Sequence, residues 1–214
     1  MKRIKAVIFD LDGTLANTLP LCIEAFRRSI EPLTGKSITN EEIIATFGPS
    51  EEGTIMALAP AHYEKGIAGY LQHYHDLHDM CSQAFDGIPE LLEELKRRHF
   101  RLAMVTGKGE HSTAISLQQF GLAHFFEIIE TGSPSGPRKA DGIEQVLGIW
   151  PDLSKEEVIY VGDAPSDITA CRQVGIPVVA AAWAETAEPE QLKVLEPDAL
   201  FYSVKEFSQW LFTE

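Results

Sequence analysis

Apolar residues follow two rhythms along this chain. Short continuous runs occur at Ala6-Val7-Ile8-Phe9, Leu102-Ala103-Met104-Val105, Val158-Ile159-Tyr160-Val161 and Val178-Val179-Ala180-Ala181. Runs of this length read as strands buried on both faces. They predict strands over 4–9, 101–106, 157–161 and 178–181, with shorter ones over 125–129 and 200–202. Helices are predicted between them, over 89–98, 111–120, 141–148, 165–173 and 204–211. Pro89 sits near one helix start, and Gly121 and Gly175 mark two stops. Strands alternating with helices imply an α/β domain with a doubly wound, mostly parallel sheet.

Residues 18–81 break this alternation. Leu19, Ile23, Phe26 and Ile30 recur at helical spacing, and Thr39-Asn40-Glu41-Glu42 can cap a second helix. A short third helix follows Ser50, and Tyr63, Ile67, Tyr70, Leu71 and Tyr74 mark a longer fourth. No strand pattern interrupts them. The stretch reads as an all-helical cap inserted after the first strand. The expected division is a core over 1–16 and 83–214 and a cap over 17–82, with hinges near 15–18 and 82–88. An insert there covers the sheet edge that carries the loops, where a lid can exclude water from substrate.

Composition narrows the partners. The chain has 214 residues, 44% of them hydrophobic, enough for a sizeable core, and a formal net charge of −14. That charge disfavours nucleic acid and anionic membrane surfaces as partners. It leaves room for a small phosphorylated metabolite, because a metal and a few local cations can dominate one pocket. Cys22, Cys81 and Cys171 have no zinc-like or disulfide-like spacing. Neither a signal-peptide pattern nor an 18-residue apolar run occurs, so a cytoplasmic enzyme, monomeric or homodimeric, is expected. His73, His75 and His78, with Asp76 and Asp79, read as an exposed polar helix end.

The chemistry gathers where strands end. Asp10 closes the first run and Asp12 lies on the turn beyond it, followed by Gly13-Thr14. One carboxylate can attack an electrophile while the other handles a proton. Thr106-Gly107-Lys108 follows the second strand, with a hydroxyl and backbone N–H groups that can hold phosphate oxygens. Arg138-Lys139 precedes the helix at 141–148 and offers a cation. Asp163 and Asp167 follow the strand ending near Val161 and add carboxylates for a hard divalent ion such as Mg²⁺.

In this order the motifs resemble those of the haloacid dehalogenase superfamily, in its phosphoglycolate-phosphatase-like branch with a helical cap. Asp10-Leu11-Asp12-Gly13-Thr14 is similar to that family's signature loop, Val105-Thr106-Gly107 to its second motif, Lys139 to its lysine, and Gly162-Asp163 with Asp167 to its acidic fourth motif. The resemblance implies a Mg²⁺-dependent phosphatase acting on a small phosphomonoester, with a phosphoglycolate-like substrate possible. Asp10 would be the nucleophile that forms an aspartyl-phosphate, and Asp12 the acid and base. Thr106 and Lys139 would hold phosphate oxygens. Asp10, the Asp12 carbonyl and Asp163 would hold the metal, with Asp167 orienting a metal-bound water or standing behind the ligands. Gly13, Thr14, Gly107 and Lys108 would contact substrate. Phe47-Gly48-Pro49-Ser50-Glu51-Glu52-Gly53 is similar to the family's substrate-facing cap loop, which adds Gly48 and Glu51; the alternative is a Ser50 helix cap with acids in its first turn.

The lysine motif departs from the family's usual Lys-Pro-x-Pro. Counting back from Ile143 puts Pro137 at the usual lysine position, so the loop must be remodelled for a cation to reach the phosphate; Lys139, nearest the helix start and with a compact ammonium, is expected to do so, with Arg138 as its rival. A phosphomutase or pyrophosphatase of the same superfamily is the alternative activity. A noncatalytic regulator that keeps the fold is a remote one.

Overall fold

The structure is a computed structural model, and it describes residues 4–213. Strand β1 (Ala6–Phe9) leads into four cap helices, α1 (Leu19–Thr34), α2 (Asn40–Ile44), α3 (Glu51–Leu58) and α4 (Tyr63–Asp76). The chain returns through α5 (Ile88–Arg97), β2 (Arg101–Val105), α6 (Glu110–Phe120), β3 (Ile128–Glu130), α7 (Lys139–Ile149), β4 (Val158–Gly162), α8 (Pro165–Val174), β5 (Val178–Ala181), α9 (Pro189–Val194), β6 (Ala199–Phe201) and α10 (Val204–Thr213). The strands form one sheet in the order β3-β2-β1-β4-β5-β6, and every pairing is parallel. The core is thus a Rossmann-like α/β fold with an all-helical cap inserted after the first strand.

The continuous apolar runs explain why the sheet is covered on both faces. Val7 and Phe9 of β1 pack with Leu102, Met104, Ile159 and Val161 against Leu91, Leu92 and Leu95 of α5 and Phe207 of α10. Ala6 and Ile8 point the other way, with Ala103, Val105, Val158 and Tyr160, against Ile143 of α7 and Ile168 of α8. Burying a leucine or phenylalanine fully stabilises by roughly 1.5–3 kcal/mol relative to leaving it exposed. The cap has its own core, in which Leu21, Phe26 and Ile30 of α1 meet Ile43, Ile55, Tyr70 and Tyr74. Thr39 caps α2 as its sequence suggests. Its hydroxyl accepts from Glu42 N at 3.2 Å, while Glu42 accepts from Thr39 N at 2.8 Å.

Three elements differ from the sequence reading. The third strand starts at Ile128, because Ala123–Phe125 form a 3₁₀ turn that drops Phe125 and Phe126 into the core. Helix α7 starts at Lys139 rather than at residue 141. Helix α9 has no counterpart among the predicted elements; its single fully buried apolar anchor is Leu192. Among the described residues, no helix is long and apolar enough to cross a membrane.

Candidate active site

The strand order reverses direction at β1, with β2 on one side and β4 on the other. Open α/β sheets bind ligands at the carboxyl ends of strands at such a point. Asp10 follows β1 directly. Its N–H donates to Val161 O at 2.9 Å, which holds it level with the end of β4. Asp163 follows β4, and Asp167 lies in the first turn of α8. One carboxylate oxygen from each of Asp10, Asp163 and Asp167 lies within 4.8 Å of the others. An oxygen-only donor set of this kind fits a hard divalent cation.

Gly13 makes the approach of these loops possible. Its φ is +77°, and a Cβ there would come within 2.0 Å of Asp163 Oδ2. A side chain at this position would therefore collide with a carboxylate of the cluster as well as strain the turn. Thr14 Oγ1 donates to Asp163 Oδ1 at 3.0 Å, and Trp183 Nε1 donates to Thr14 O at 2.9 Å. The tryptophan thus braces the loop from behind.

Lys139 reaches the centre of the cluster. Its Nζ lies 2.5 Å from Asp10 Oδ2 and also donates to Asp167 Oδ1. Asp167 is fully buried and accepts further from Tyr160 Oη at 3.2 Å and Ala164 N at 2.9 Å. Its geometry is that of a group that fixes Lys139. Arg138 turns away, to Glu130 at 3.3 Å and Thr131 O at 3.3 Å. Lys139 is the first residue of α7, and from there its side chain spans to both Asp10 and Asp167.

Burial and crowding disturb the charges here. Desolvation raises the Asp10 pKa to about 6; Lys139 opposes that rise and Asp167 adds to it. Burial, helped by Asp10, also pushes Asp163 well above the usual carboxylate range. Burial works against the charge of Lys139, but Asp10 and Asp167 outweigh it and keep the ammonium firmly protonated.

A second cation stands beside Asp12. The Asp12 carboxylate accepts from Thr18 Oγ1 and lies 3.4 Å from Lys108 Nζ. Lys108 is 5% exposed, sits 4.2 Å from the centroid of the Tyr74 ring, and lies 3.6 Å from Glu51. Burial again disfavours its charge, and Asp12 together with Cys22, Tyr70 and Tyr74 overrides this. Asp12 itself stands outside the three-carboxylate cluster.

Glu51 joins cap to core. It accepts from Gly109 N at 2.6 Å and from Ser112 Oγ, both in the core, and from Tyr70 Oη at 3.4 Å within the cap. Ser50, at the N-cap position of α3, makes no side-chain cap bond; its hydroxyl donates to Glu52 instead. Its backbone N–H crosses to Ser133 O at 2.9 Å. Gly48, at φ +138°, packs close to Pro137. Tyr74 Oη and His78 Nε2 both meet Ser116 Oγ of α6, at 2.7 and 3.1 Å. The buried His78 is therefore a contact between cap and core, whereas His73 and His75 stay on the α4 surface. The cap closes over a cavity of 280 Å³ that is lined by Asp10, Asp12, Gly13, Gly48, Glu51, Thr106, Gly107, Lys108, Lys139 and Asp163 among others. Thr14 and Asp167 stand behind that lining. Tyr160, Ser112 and Tyr70 were not singled out by the motifs. Ser112 and Tyr70 meet Glu51 from far along the chain, whereas Tyr160 meets Asp167 from the preceding strand; no local pattern marks any of them.

Residues 7–181 match the family described as haloacid dehalogenase-like hydrolase. The chain is similar to pyrophosphatase PpaX of Halalkalibacterium halodurans, with 30% identity over 94% of each chain. It is also similar to pyrophosphatase PpaX of Listeria innocua, with 32% identity over 92% of this chain and 91% of the other. A haloacid dehalogenase-like hydrolase from Streptococcus pneumoniae superposes with a TM-score of 0.79 at 29% identity, covering 98% of this chain and 99% of the other. A predicted phosphoglycolate phosphatase from Haemophilus somnus shares the fold across the full length of both chains, with a TM-score of 0.80 at 21% identity. With its helical cap and its cluster of Asp10, Asp163 and Asp167, the chain belongs to the haloacid dehalogenase-like hydrolase family and is a hydrolase of small phosphoesters.

Proposed function

We propose that the protein cleaves inorganic pyrophosphate by phosphoryl transfer to Asp10. The observation that carries this reading is a pair of cations in one small cavity, a half-buried Lys139 beside Asp10 and a buried Lys108 beside Asp12. Two charged phosphoryl groups need two sources of positive charge. The relatives named pyrophosphatase support the same substrate.

Asp10 attacks phosphorus and displaces the second phosphate. Asp12 gives that leaving group its proton, then takes one from the water that hydrolyses the aspartyl-phosphate. Thr106 and the amide of Gly107 hold oxygens of the transferring group. Lys139 offsets its charge and keeps Asp10 aimed, with Asp167 fixing the ammonium. Asp10 and Asp163, with the Asp12 carbonyl, would hold Mg²⁺. When bound, the ion draws charge from the transferring group and lets one anion approach another. Phosphate release from pyrophosphate with saturating Mg²⁺ tests the substrate. The expected result is a kcat/KM for pyrophosphate above that for phosphoglycolate; no release from pyrophosphate would overturn it. A phosphomonoester with a carbon leaving group is a second reading, favoured by the apolar residues on the cap side of the cavity.

The raised carboxylate pKa values give a further expected result. A carboxyl whose folded pKa lies above its unfolded value stabilises the fold when protonated, and that contribution is lost as pH rises through the folded pKa. For Asp10 the window runs from its ordinary value of 3.8 up to about 6. Mg²⁺ binds only the ionised cluster, so it should raise Tm more at pH 7.5 than at pH 5. Thermal scans with and without Mg²⁺ check this; equal shifts at both pH values would contradict it.

A further inference from the structure

Trp183 belongs to none of the motifs, yet it stands under the loop that carries Asp10 and Asp12. It follows β5 on the sheet face covered by α5 and α10. Ala182 N donates to Phe201 O at 2.8 Å, which ties the start of this segment to β6. The Trp183 ring packs on Phe207 of α10, with centroids 6.2 Å apart, and Phe207 in turn meets Phe9 edge-on at 6.5 Å. Phe9 is the residue before Asp10. The indole is therefore footed on β6, α10 and the strand of the nucleophile.

From that footing its Nε1 reaches Thr14 O at 2.9 Å. Thr14 is fully buried, so its carbonyl has no water to turn to if this donor is lost. One residue on, Leu15 O accepts from Phe85 N at 2.9 Å, in the chain returning from the cap. The loop is thus pinned on one side by the cap connection and on the other by Trp183. Its far side touches both oxygens of Asp163. Thr14 Oγ1 donates to Oδ1 at 3.0 Å, and a Cβ on Gly13 would stand 2.0 Å from Oδ2. Fit this close means that a displaced Thr14 peptide redirects the Asp163 carboxylate. Removing a group that hydrogen-bonds a metal ligand typically costs about 10–100-fold in affinity or activity.

We propose that Trp183 is a positioning residue for the divalent cation: its indole N–H fixes the Thr14 peptide, and Thr14 aims the Asp163 carboxylate. The role rests on the carboxylate cluster holding a cation, and not on pyrophosphate as the substrate. A tryptophan that only filled space would be replaced by phenylalanine with some loss of Tm and no change in cation affinity.

Trp183→Phe keeps a ring against Phe207 and removes the donor. Calorimetric titration with Mg²⁺ should give this variant a Kd about tenfold or more above that of the wild type. Thr14→Val, which removes the hydroxyl, should weaken Mg²⁺ by a similar factor. Both act on Asp163 through one chain of contacts. The double variant should therefore bind within about threefold of the weaker single variant, not at the product of the two effects. A second measurement needs no change at this site. In the ¹⁵N-labelled wild type the Trp183 indole signal should shift along the Mg²⁺ titration, while that of Trp150, on the opposite face of the sheet, stays in place. Trp150→Phe and Trp210→Phe assign the signals. Unchanged Mg²⁺ affinity in Trp183→Phe, losses that multiply in the double variant, or a Trp183 signal indifferent to Mg²⁺ would each overturn the proposal. Pyrophosphate cleavage with Mg²⁺ affinity untouched by Trp183→Phe removes the role of Trp183 alone. The expected losses of affinity without pyrophosphate cleavage by the wild type remove pyrophosphate alone.

Discussion

Asp10→Asn is expected to lower kcat by about 10³-fold or more, a loss of roughly 4 kcal/mol of transition-state stabilisation. The amide keeps the shape of the side chain but is a poor nucleophile, and no second carboxylate replaces it. Asp12 is turned toward Thr18 and Lys108, and Asp167 is buried behind Lys139. The variant should still fold. Asp10 is a carboxylate made costly by burial, and Lys139 retains Asp167 when the charge is removed. Without metal, its Tm should equal or exceed that of the wild type at pH 7.5. Near-normal turnover, with deamidation excluded by mass spectrometry, would contradict the role.

Lys139→Ala should cut kcat/KM by at least about 10²-fold, or ~2.7 kcal/mol, whereas Arg138→Ala should change it by less than about fivefold. The geometry separates these neighbours sharply. Lys139 is the ammonium between Asp10 and Asp167, and its removal leaves two buried carboxylates without their shared cation. Losing one partner of a buried pair is strongly destabilising, so Lys139→Ala should also lower Tm, with Mg²⁺ restoring part of the loss. Arg138 holds a partly exposed pair with Glu130, of the kind worth at most ~1 kcal/mol. Steady-state kinetics on pyrophosphate decides between them, and the reverse ranking would move the phosphate-binding role to Arg138.

Much of this arrangement was written in local pattern. Val7 and Phe9 face one layer of helices while Ala6 and Ile8 face the other, which is what a continuous apolar run means in a parallel strand. The ends of those strands located Asp10, Thr106 and Asp163 in advance, because a residue after a parallel strand in such a sheet has little choice of direction. Thr39 and Glu42 likewise announced the start of α2.

What the sequence did not disclose depends on distance. Glu51 resembles an ordinary first-turn acid, yet it bonds across 58 residues to Gly109. Lys108 was expected at the site only as a residue of the loop after the second strand, and its burial among Asp12, Cys22, Glu51 and Tyr74 follows from how the cap meets the core. The start of α7 was misplaced because Ala140-Asp141 reads as a helix entrance as readily as Arg138-Lys139 does. Tertiary contact with Asp10 and Asp167 selects the earlier one.

The covalent role of Asp10 is tested most directly by trapping. In Asp12→Asn the group that activates water is gone, so phosphoenzyme formed from a substrate with a good leaving group, such as p-nitrophenyl phosphate, should accumulate. Acid quenching, peptic digestion and mass spectrometry should then find the mass of one phosphoryl group on the peptide that carries Asp10, and none in the same variant with Asp10→Asn added. Substrate turnover with that peptide unmodified, or a phosphoryl group found on another residue, would contradict nucleophilic attack by Asp10.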